Sequence, residues 1–327
     1  MTREEALKAE ARRLGFSACG IASLDPSARG DALDAWLAAG YGGTMRYLHR
    51  QAAKRKAPAM IAPGAVRAVV VIDPYPPPEP RASGSAARVA AYARGADYHA
   101  VTGQRLERLA AWLRAEGAGI ARPFVDAGPV PERELAQRAG LGWIGKNTML
   151  IRPEAGSFGV IGSVLTDLPL AVDSPFEADR CGSCTRCLEA CPTAAFVAPR
   201  VLDATRCISY LTIEQKGPIP PELVPRLEGW AFGCDICNEV CPWNVRFAEP
   251  ATEPAFAPRP DPDLDDPGYF DRMTDEQFAA RFADTPLARP GLAGMRRNWA
   301  AALGPSEEGA AGQDRGADSG PDRVGPR

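Results

Sequence analysis

The sequence has few histidines and no long apolar runs. Its two histidines, His49 and His99, are too few for a histidine-rich metal centre and disfavour a haem site. No apolar run approaches the ~18 residues of a membrane span. A G-x-G-x-x-G turn after a predicted strand and a Walker A loop are both missing, so dinucleotide and P-loop sites are unsupported.

Basic residues are not in excess either. Lys and Arg number 38 against 41 Asp and Glu, giving a net charge of −3, which argues against a broadly basic nucleic-acid binder but leaves room for a local basic face. Arg12-Arg13 faintly resembles an export signal, yet charged residues and proline interrupt the segment after it. An amphipathic helix over 2–14, with Thr2 and Glu5 as a capping box, fits better. We therefore expect a cytoplasmic protein, in which thiols stay reduced.

The cysteines are concentrated in one segment of the chain. Eight of the nine cysteines lie between Cys181 and Cys241. Residues 181–192 read C-x2-C-x2-C-x3-C-P, the spacing of a bacterial two-cluster ferredoxin, and 234–242 repeat C-x2-C-x3-C-P. A disulfide framework would suit a short secreted chain, and zinc sites have no use for the two C-P endings. The spacing predicts two [4Fe–4S] clusters.

The same spacing predicts which cysteines share a cluster, because the cysteine before proline ligates the other cluster. One cluster is expected to take Cys181, Cys184, Cys187 and Cys241. The other is expected to take Cys191, Cys207, Cys234 and Cys237. We interpret the 26 residues between Cys207 and Cys234 as an insertion filled by helices, the first over 208–214.

Composition and periodicity divide the chain into four parts. Residues 1–175 are predicted as an α/β domain, 176–248 as a ferredoxin-like domain, 249–304 as a surface linker with a short helical segment, and 305–327 as a disordered tail. Within the first part we predict strands at 16–21, 68–72, 89–93, 123–126, 148–151 and 159–166, and helices at 99–116 and 132–139.

Two clusters beside an α/β domain suggest a redox enzyme whose substrate or second redox centre lies in that domain. Asp126 follows a predicted strand and could donate a proton if burial raised its pKa, although an acid that merely forms the turn is an open alternative. Asp97-Tyr98-His99 begins like the D-x-H-x-x-G signature of histidine-bound cobalamin but ends in Thr102. His99 is therefore either a pocket residue or an ordinary interior or surface histidine.

Several segments together resemble the epoxyqueuosine reductases. They are Y-A-R-G and D-Y-H within 92–99, V-D through P-E-R within 125–133, A-G-L-G-W-I-G-K-N at 139–147, the cysteine run, C-I-S-Y-L-T-I-E at 207–214 and C-P-W-N at 241–244. The resemblance covers about residues 1–303. It implies a cobalamin-binding α/β domain like those of nitroreductases and reductive dehalogenases, followed by a two-[4Fe–4S] ferredoxin-like domain. Some members carry HEAT-like repeats at the C-terminus, of which only a short helical remnant is expected here.

The resemblance also implies a reaction. Epoxyqueuosine at the tRNA wobble position loses its epoxide oxygen as water, taking two electrons and two protons through cob(I)alamin that the clusters reduce. Asp126 matches the family's proton donor, and the cobalamin has no histidine axial ligand. The implied cobalamin contacts are Arg55, His99, Asp126, Asn147, Thr148, Leu150 and Ser209. The candidate tRNA contacts are Glu214, Lys216, Arg289, Arg296 and Arg297.

The expected partners are epoxyqueuosine-containing tRNA and a low-potential electron donor of the flavodoxin or ferredoxin type, with no membrane and a monomeric state. Two other functions stay open on the sequence. A reductive dehalogenase shares the cobalamin and two-cluster plan, but such enzymes usually carry a twin-arginine signal. An electron carrier whose first domain only binds a partner would hold no cobalamin.

Overall fold

A computed structural model describes residues 1–77, 87–251, 253–260 and 262–303. The predicted tail at 305–327 lies outside the described residues. The strands are β1 Ala18–Ser23, β2 Arg67–Pro74, β3 Arg88–Val89, β4 Ala121–Val125, β5 Trp143–Ile144, β6 Leu150–Ile151, β7 Gly159–Thr166, β8 Phe196–Ala198, β9 Val201–Leu202 and β10 Trp230–Phe232. The helices are α1 Arg3–Arg13, α2 Gly30–Ala38, α3 Arg46–Lys56, α4 Tyr98–Ala115, α5 Glu132–Arg138, α6 Arg186–Glu189, α7 Ile208–Ile213, α8 Ile236–Glu239, α9 Pro242–Phe247, α10 Asp275–Phe282 and α11 Gly291–Leu303.

The first part of the chain is built on a four-stranded sheet in the order β1-β2-β7-β4, with every pairing antiparallel. Helices cover both faces. Val69 and Val71 of β2 pack with α1 and α4, while Val70 and Ile72 pack with α5. A strand covered on both faces must be apolar on both, which explains the continuous run that predicted β2. Because the strands alternate in direction, their carboxyl ends do not share one edge.

The helices that pack on the sheet begin where the sequence predicts. Thr2 and Glu5 form the expected capping box at α1. Asp97 caps α4 by accepting from the His99 backbone N–H at 2.9 Å, and Leu106, Leu109 and Leu113 of α4 are fully buried. α4 is therefore fixed at its N-terminus and along its buried face.

The strand predicted at 89–93 is mostly wrong. Only Arg88–Val89 is extended, and a 3-10 turn follows at Ala91–Ala93. This short β3 pairs in parallel with β10 of the cysteine-containing part. The apolar residues of the segment are buried by that contact and by the turn, so their burial does not require a long strand.

The insertion between Cys207 and Cys234 begins with the predicted helix, α7. Helices do not fill the rest. It contains a 3-10 turn at Val224–Arg226 and then β10, and its apolar side chains Leu211, Leu227 and Trp230 form a separate small core. Helix α7 follows Cys207 directly, so the insertion places a helix N-terminus beside a cysteine.

The segment after 249 is packed, which differs from the expected surface linker. Phe256, Leu264 and Phe270 are buried, and the Phe270 ring meets Trp299 of α11 edge-on at 4.8 Å. A few large aromatic side chains suffice to anchor a segment otherwise rich in proline and aspartate.

The same segment braces the start of α4. The Ala96 N–H donates to the Ala255 carbonyl at 2.8 Å, and the Asp97 N–H donates to the Asp284 carbonyl at 2.8 Å. The C-terminal part therefore supports the loop that leads into Tyr98 and His99.

Among the described residues, every helix is too short or too polar to cross a membrane.

Candidate functional site

Two adjoining cavities lie where the sheet meets the cysteine-containing part. The smaller has a volume of about 310 Å³ and the larger about 640 Å³, and Asp126, Glu132 and Arg133 line both. Tyr75, Tyr92 and Tyr98 line the smaller cavity, and Arg55 and Trp36 are among the walls of the larger. Largely apolar walls with a few converging charged groups are the usual make-up of a ligand site.

Asp126 stands at the junction of these cavities. It follows β4 directly and has a φ of +45°, a left-handed conformation that is uncommon outside glycine and that clusters at functional sites. Its backbone N–H donates to Glu132 Oε1 at 2.7 Å, and the Tyr98 hydroxyl donates to its Oδ2. His99 Nε2 lies 3.9 Å from the same oxygen. The side chain is 62% exposed, so the burial anticipated for this acid is not found.

The groups around Asp126 favour their protonated forms. Burial, reinforced by the charge of Asp126, raises the pKa of Glu132 to about 8. Burial and the same charge raise the pKa of Tyr98 far above its usual range, so its hydroxyl stays a donor. The site therefore holds an acid and a phenol that keep their protons near neutral pH beside an exposed carboxylate.

The residues implied as cobalamin contacts fall into three groups. Those that line the cavities are Arg55, Asp126, Thr148 and Leu150. His99 is adjacent, with its Nδ1 at 2.8 Å from Asp97 Oδ1. Asn147 and Ser209 lie behind the cavities, among the cysteines.

Arg55 connects the larger cavity to the loop after Asp126. Its guanidinium donates to the Gly128 carbonyl at 3.1 Å and to the Val130 carbonyl at 3.5 Å. Its Nε is buried and has no partner among the described residues. A buried donor without a partner at a cavity wall is a place where a polar ligand atom would be stabilised.

The first predicted set of cysteines is together. The side chains of Cys181, Cys184, Cys187 and Cys241 line a cavity of about 40 Å³. Trp143 Nε1 lies 3.4 Å from Cys181 Sγ, and the backbone N–H groups of Trp243 and Asn244 face Cys241. Donors aimed at sulfur suit a thiolate bound to iron.

In the second predicted set, Cys207 and Cys234 pack against the small core of the insertion. Burial raises the pKa of the thiols of Cys207, Cys234 and Cys237, and the neighbouring cysteines raise it further. Cys191 is one of the neighbours of Cys207. The backbone N–H groups of Tyr210 and Ser209 face Cys207, as expected at the N-terminus of α7, and the N–H of Ala195 lies 3.3 Å from Cys191 Sγ. These anion-stabilising groups fit the same kind of cluster.

The two sets adjoin each other, and the second also adjoins the smaller cavity. Asn147 lines the cavity of the first set, and its Nδ2 lies 3.3 Å from the Cys237 carbonyl of the second. Ser157 lines the smaller cavity, and its hydroxyl donates at 3.2 Å to Asn238, the residue after Cys237. The order of centres is therefore first set, second set, cavity.

A buried network, which we call the amide network, joins the cysteine-containing part to the sheet. It comprises Asn147, Ser157, Asn238 and Asn244. The Ser157 N–H donates to Asn244 Oδ1 at 2.6 Å, and Asn244 Nδ2 donates to the Asn238 carbonyl at 2.9 Å. Asn147 Nδ2 approaches the Cys237 carbonyl at 3.3 Å. Asn147 thus supports the cysteines rather than the cavity surface.

The candidate tRNA contacts are not equivalent. Arg289 pairs with Glu214 at 2.8 Å, and both act electrostatically on Tyr47 near Asp126, so they lie at the mouth of the site. Lys216 is exposed. Arg296 donates to the Phe270 and Met273 carbonyls, and Arg297 to the Leu211, Gln215 and Gly217 carbonyls. The guanidinium groups of Arg296 and Arg297 therefore hold α11 in place.

Sequence reasoning gave no role to Glu132, Tyr98 or Arg133. All three stood in segments that carried the family resemblance, so the signal was present. The sequence does not show how residues 126–133 fold. In the structure this segment turns so that the Glu132 carboxylate accepts a hydrogen bond from the backbone N–H of Asp126.

Comparison with known families identifies the two parts separately. The model of a 4Fe-4S double cluster binding domain matches residues 180–244. The model described as "Epoxyqueuosine reductase QueG, DUF1730" matches residues 55–127. The match at 180–244 contains all eight clustered cysteines.

Whole-chain relatives agree with both matches. The epoxyqueuosine reductase of Pseudomonas aeruginosa is 43% identical over 306 residues, covering 92% of this chain and 84% of that protein. That of Cyclobacterium marinum is 41% identical over 297 residues, covering 89% and 94%.

Solved structures give the same likeness and confirm the predicted fold. A crystal structure of epoxyqueuosine reductase with an epoxyqueuosine-modified tRNA-Tyr stem loop has a TM-score of 0.83 at 30% identity, covering 92% of this chain and 80% of that one. The enzyme from Bacillus subtilis, with its catalytic aspartate loop swung out of the active site, has a TM-score of 0.82 at 30% identity, covering 92% and 80%.

Proposed function

This chain belongs to the epoxyqueuosine reductase family, and from that premise we propose that it reduces epoxyqueuosine to queuosine at the wobble position of tRNA. The epoxide oxygen leaves as water, and the reaction consumes two electrons and two protons. The observation that carries the proposal is the continuous arrangement of two cysteine sets and a cavity with Asp126 at its junction.

The two cysteine sets are the proposed ligands of two [4Fe–4S] clusters. Cys181, Cys184, Cys187 and Cys241 would hold one cluster. Cys191, Cys207, Cys234 and Cys237 would hold the other. Their grouping around separate centres and the N–H donors aimed at the sulfurs support this division.

The adjoining cavities are the proposed cobalamin and substrate site. Cobalamin, reduced through the clusters, would supply the electrons that open the epoxide. Arg55, Thr148 and Leu150 would contact the cofactor directly, and Asn147 and Ser209 would act from behind it. His99 already contacts Asp97, which favours a supporting role for it over that of an axial ligand.

Asp126 is the proposed proton donor. The contacts of its side chain with described residues are made through Oδ2, which leaves Oδ1 free to take up a proton when substrate covers this exposed group and to pass it to the epoxide oxygen. Tyr98 keeps its own proton and orients the carboxyl group. Glu132 holds the backbone N–H of Asp126, so it fixes the strained conformation that turns the side chain toward the junction.

The tRNA would enter at the mouth marked by Arg289 and Glu214, with Lys216 on the nearby exposed loop. This surface is small, so shape and a few phosphate contacts would position the anticodon loop. Arg296 and Arg297 would support the surface from within. We also propose that the protein is cytoplasmic and monomeric, and that it draws electrons from a low-potential donor of the flavodoxin or ferredoxin type.

Turnover of epoxyqueuosine-containing tRNA by anaerobically reconstituted protein tests the function. We expect queuosine in digested tRNA only when iron, sulfide and cobalamin have all been supplied together with a chemical reductant. An electron carrier would bind no cobalamin, and a dehalogenase would bind it yet leave the tRNA unchanged. Either result would contradict the proposal.

A further inference from the structure

The first cysteine set opens toward solvent among positive charges. The cavity lined by Cys181, Cys184, Cys187 and Cys241 has three charged side chains in its wall, Lys146, Arg180 and Arg186, and all three are cations. The chain as a whole carries a net charge of −3. Positive charge is therefore gathered here rather than spread over the surface.

Two of these cations are available to a partner. Lys146 is used internally, because its Nζ donates to the Gly182 and Cys184 carbonyls at 2.7 and 2.9 Å. Arg180 and Arg186 are exposed, and neither forms an ion pair with any residue in the described part of the chain. Arg180 lies over the ring of Phe176 at 5.7 Å, which holds its guanidinium at the surface.

Nearby carboxylates do not neutralise them. Asp179 is held by Arg200 at 2.6 Å and by the Cys181 N–H at 3.0 Å. Glu189 accepts from the Thr185 hydroxyl at 2.5 Å and keeps its charge. Glu177 is exposed in the same segment, so Lys146, Arg180 and Arg186 still outnumber these two acids.

An apolar surface lies beside the two arginines. Pro242 lines the same cavity, and Val245, three residues later on α9, is 72% exposed. Residues three and four apart share a helix face, so Arg246 extends the same surface. We call Arg180, Arg186, Pro242, Val245 and Arg246 the entry face. An exposed aliphatic side chain within a ring of arginines has the composition of a docking surface.

The first set lines a cavity whose wall includes the exposed Arg180 and Arg186, whereas Cys207 and Cys234 of the second set pack against the small core of the insertion. An external donor must therefore deliver electrons at the first set. We propose that the entry face docks an acidic one-electron carrier of low potential, carrying a flavin or an iron–sulfur centre. This inference rests on the proposed function and adds the place and charge of the donor contact.

The electron count is simple. In each encounter one electron passes from the reduced carrier to the cluster held by the first set, so the carrier is oxidised by one electron and no bond is made or broken. Two encounters supply the two electrons that one epoxide consumes. The exposed arginines attract an acidic carrier at long range and orient it over the first set.

The test compares two doubly charge-reversed holoenzymes, R180E/R186E and R12E/R108E. Arg12 and Arg108 are exposed residues of α1 and α4, so the control makes the same charge change away from the eight clustered cysteines. Cluster bleaching is followed by stopped-flow absorbance with reduced flavodoxin, and separately with photoreduced deazariboflavin, a small uncharged reductant. At low salt we expect R180E/R186E to react with flavodoxin at least ~10-fold more slowly than wild type, with a flattened salt dependence. The control and the deazariboflavin rates should stay unchanged.

Other outcomes overturn the proposal. An unchanged flavodoxin rate would show that docking occurs elsewhere. An equal loss with both reductants would mean that the arginines act on the cluster itself. If R180E/R186E loses iron, the milder R180Q/R186Q is measured, and a flavodoxin rate equal to wild type then excludes the entry face. Turnover of tRNA with the chemical reductant is read in parallel, so failure of the proposed function is recognised separately.

Discussion

The two walls of the site are built in opposite ways. One is the segment 126–133, which we call the acid loop. It begins with a left-handed aspartate, carries ionisable side chains, and is held by the Glu132 carboxylate, by Arg55 and Arg133, and by the buried Val130. The other is the cysteine-containing part, fixed by the buried amide network. The first wall is held through ionisable side chains, and the second through buried neutral amides.

The difference reflects what each wall would do. Electron transfer needs centres at fixed separation, and a hydrogen-bonded network provides that because leaving a buried amide unpaired costs about 1–3 kcal/mol. A proton donor must approach a bulky substrate, and a loop held by a few polar contacts can move. In the Bacillus subtilis enzyme the catalytic loop is swung out of the active site.

The largest effect on turnover is expected when a proposed cluster ligand in the cysteine-containing part is replaced. Cys191→Ala should abolish turnover and remove the cluster shared with Cys207, Cys234 and Cys237, while the other cluster stays, because Cys191 is proposed to cross over to that set. Iron analysis and electron paramagnetic resonance of reconstituted protein measure this. Cys184→Ala should remove the other cluster, and the lone Cys19→Ala should keep both. Loss of the same cluster in both ligand variants would refute the crossed pairing.

The next largest effect on turnover is expected from a substitution in the acid loop. Asp126→Asn should keep both clusters and bound cobalamin but lower turnover by about 10² to 10⁴-fold, the usual contribution of a general acid. The asparagine keeps the size of the side chain and can still accept from Tyr98. Single-turnover kinetics with preformed tRNA complex measure the step directly. Turnover within a factor of two of wild type would remove Asp126 as the proton donor.

A smaller effect on turnover is expected at Glu132. Two substitutions distinguish its hydrogen bond to the Asp126 N–H from its ionisable carboxyl group. Glu132→Ala removes the acceptor for the Asp126 N–H and should slow turnover about tenfold through mispositioning, whereas Glu132→Gln keeps an acceptor and should largely restore it. If both variants are equally slow, the ionisable proton of Glu132 matters and not its hydrogen bond.

Glu132 should also make stability depend on pH. Its pKa is raised to about 8 in the fold from 4.5, so it favours folding fully below pH 4.5 and this contribution fades as the pH rises through about 8. Between pH 6.5 and 8.5 the melting temperature of the wild-type holoenzyme should fall more than that of Glu132→Gln. Equal falls would show that Glu132 is not the titrating group.

The smallest effect is expected on tRNA binding, from a substitution of Arg289 at the mouth of the site. Arg289→Gln should raise KM for tRNA by about threefold to tenfold at low salt, leave kcat unchanged, and lower the salt slope of binding by about one. Arg13→Gln is the matched control, because Arg13 is also an exposed, ion-paired arginine. An unchanged salt slope would exclude a phosphate contact at Arg289.

The parts predicted best from the sequence are those whose spacing expresses a local rule. The C-x2-C-x2-C-x3-C-P run, the capping box at Thr2 and the apolar run of β2 each depend on neighbours in the chain. Two predictions were wrong because contacts with distant residues decide the structure there. Pairing with β10 limits the strand predicted at 89–93, and packing on Trp299 buries part of the predicted linker at 249–270.

The candidate site shows the same limit. Asp126 was identifiable as an acid at a strand end, but its exposure and its dependence on Glu132 arise from the fold of the acid loop. Arg296 and Arg297 resembled a basic nucleic-acid surface in sequence, yet their guanidinium groups bind backbone carbonyls of distant segments. A side chain's partner at long range cannot be read from its neighbours in the chain.

The hydrogen bonds that join Ala96 to Ala255 and Asp97 to Asp284 bear on how this polypeptide could be divided. A Cβ on Gly95 would lie 2.8 Å from the backbone of Phe256, so the two segments fit without room to spare. A gene split after residue 250 would therefore yield two fragments with matching apolar surfaces, such as Leu264 and Phe270 against Val89 and Phe232, suited to reassembly when expressed together. The shorter fragment, supplied as a separate polypeptide, would restore the hydrogen bonds that support the N-terminal end of α4.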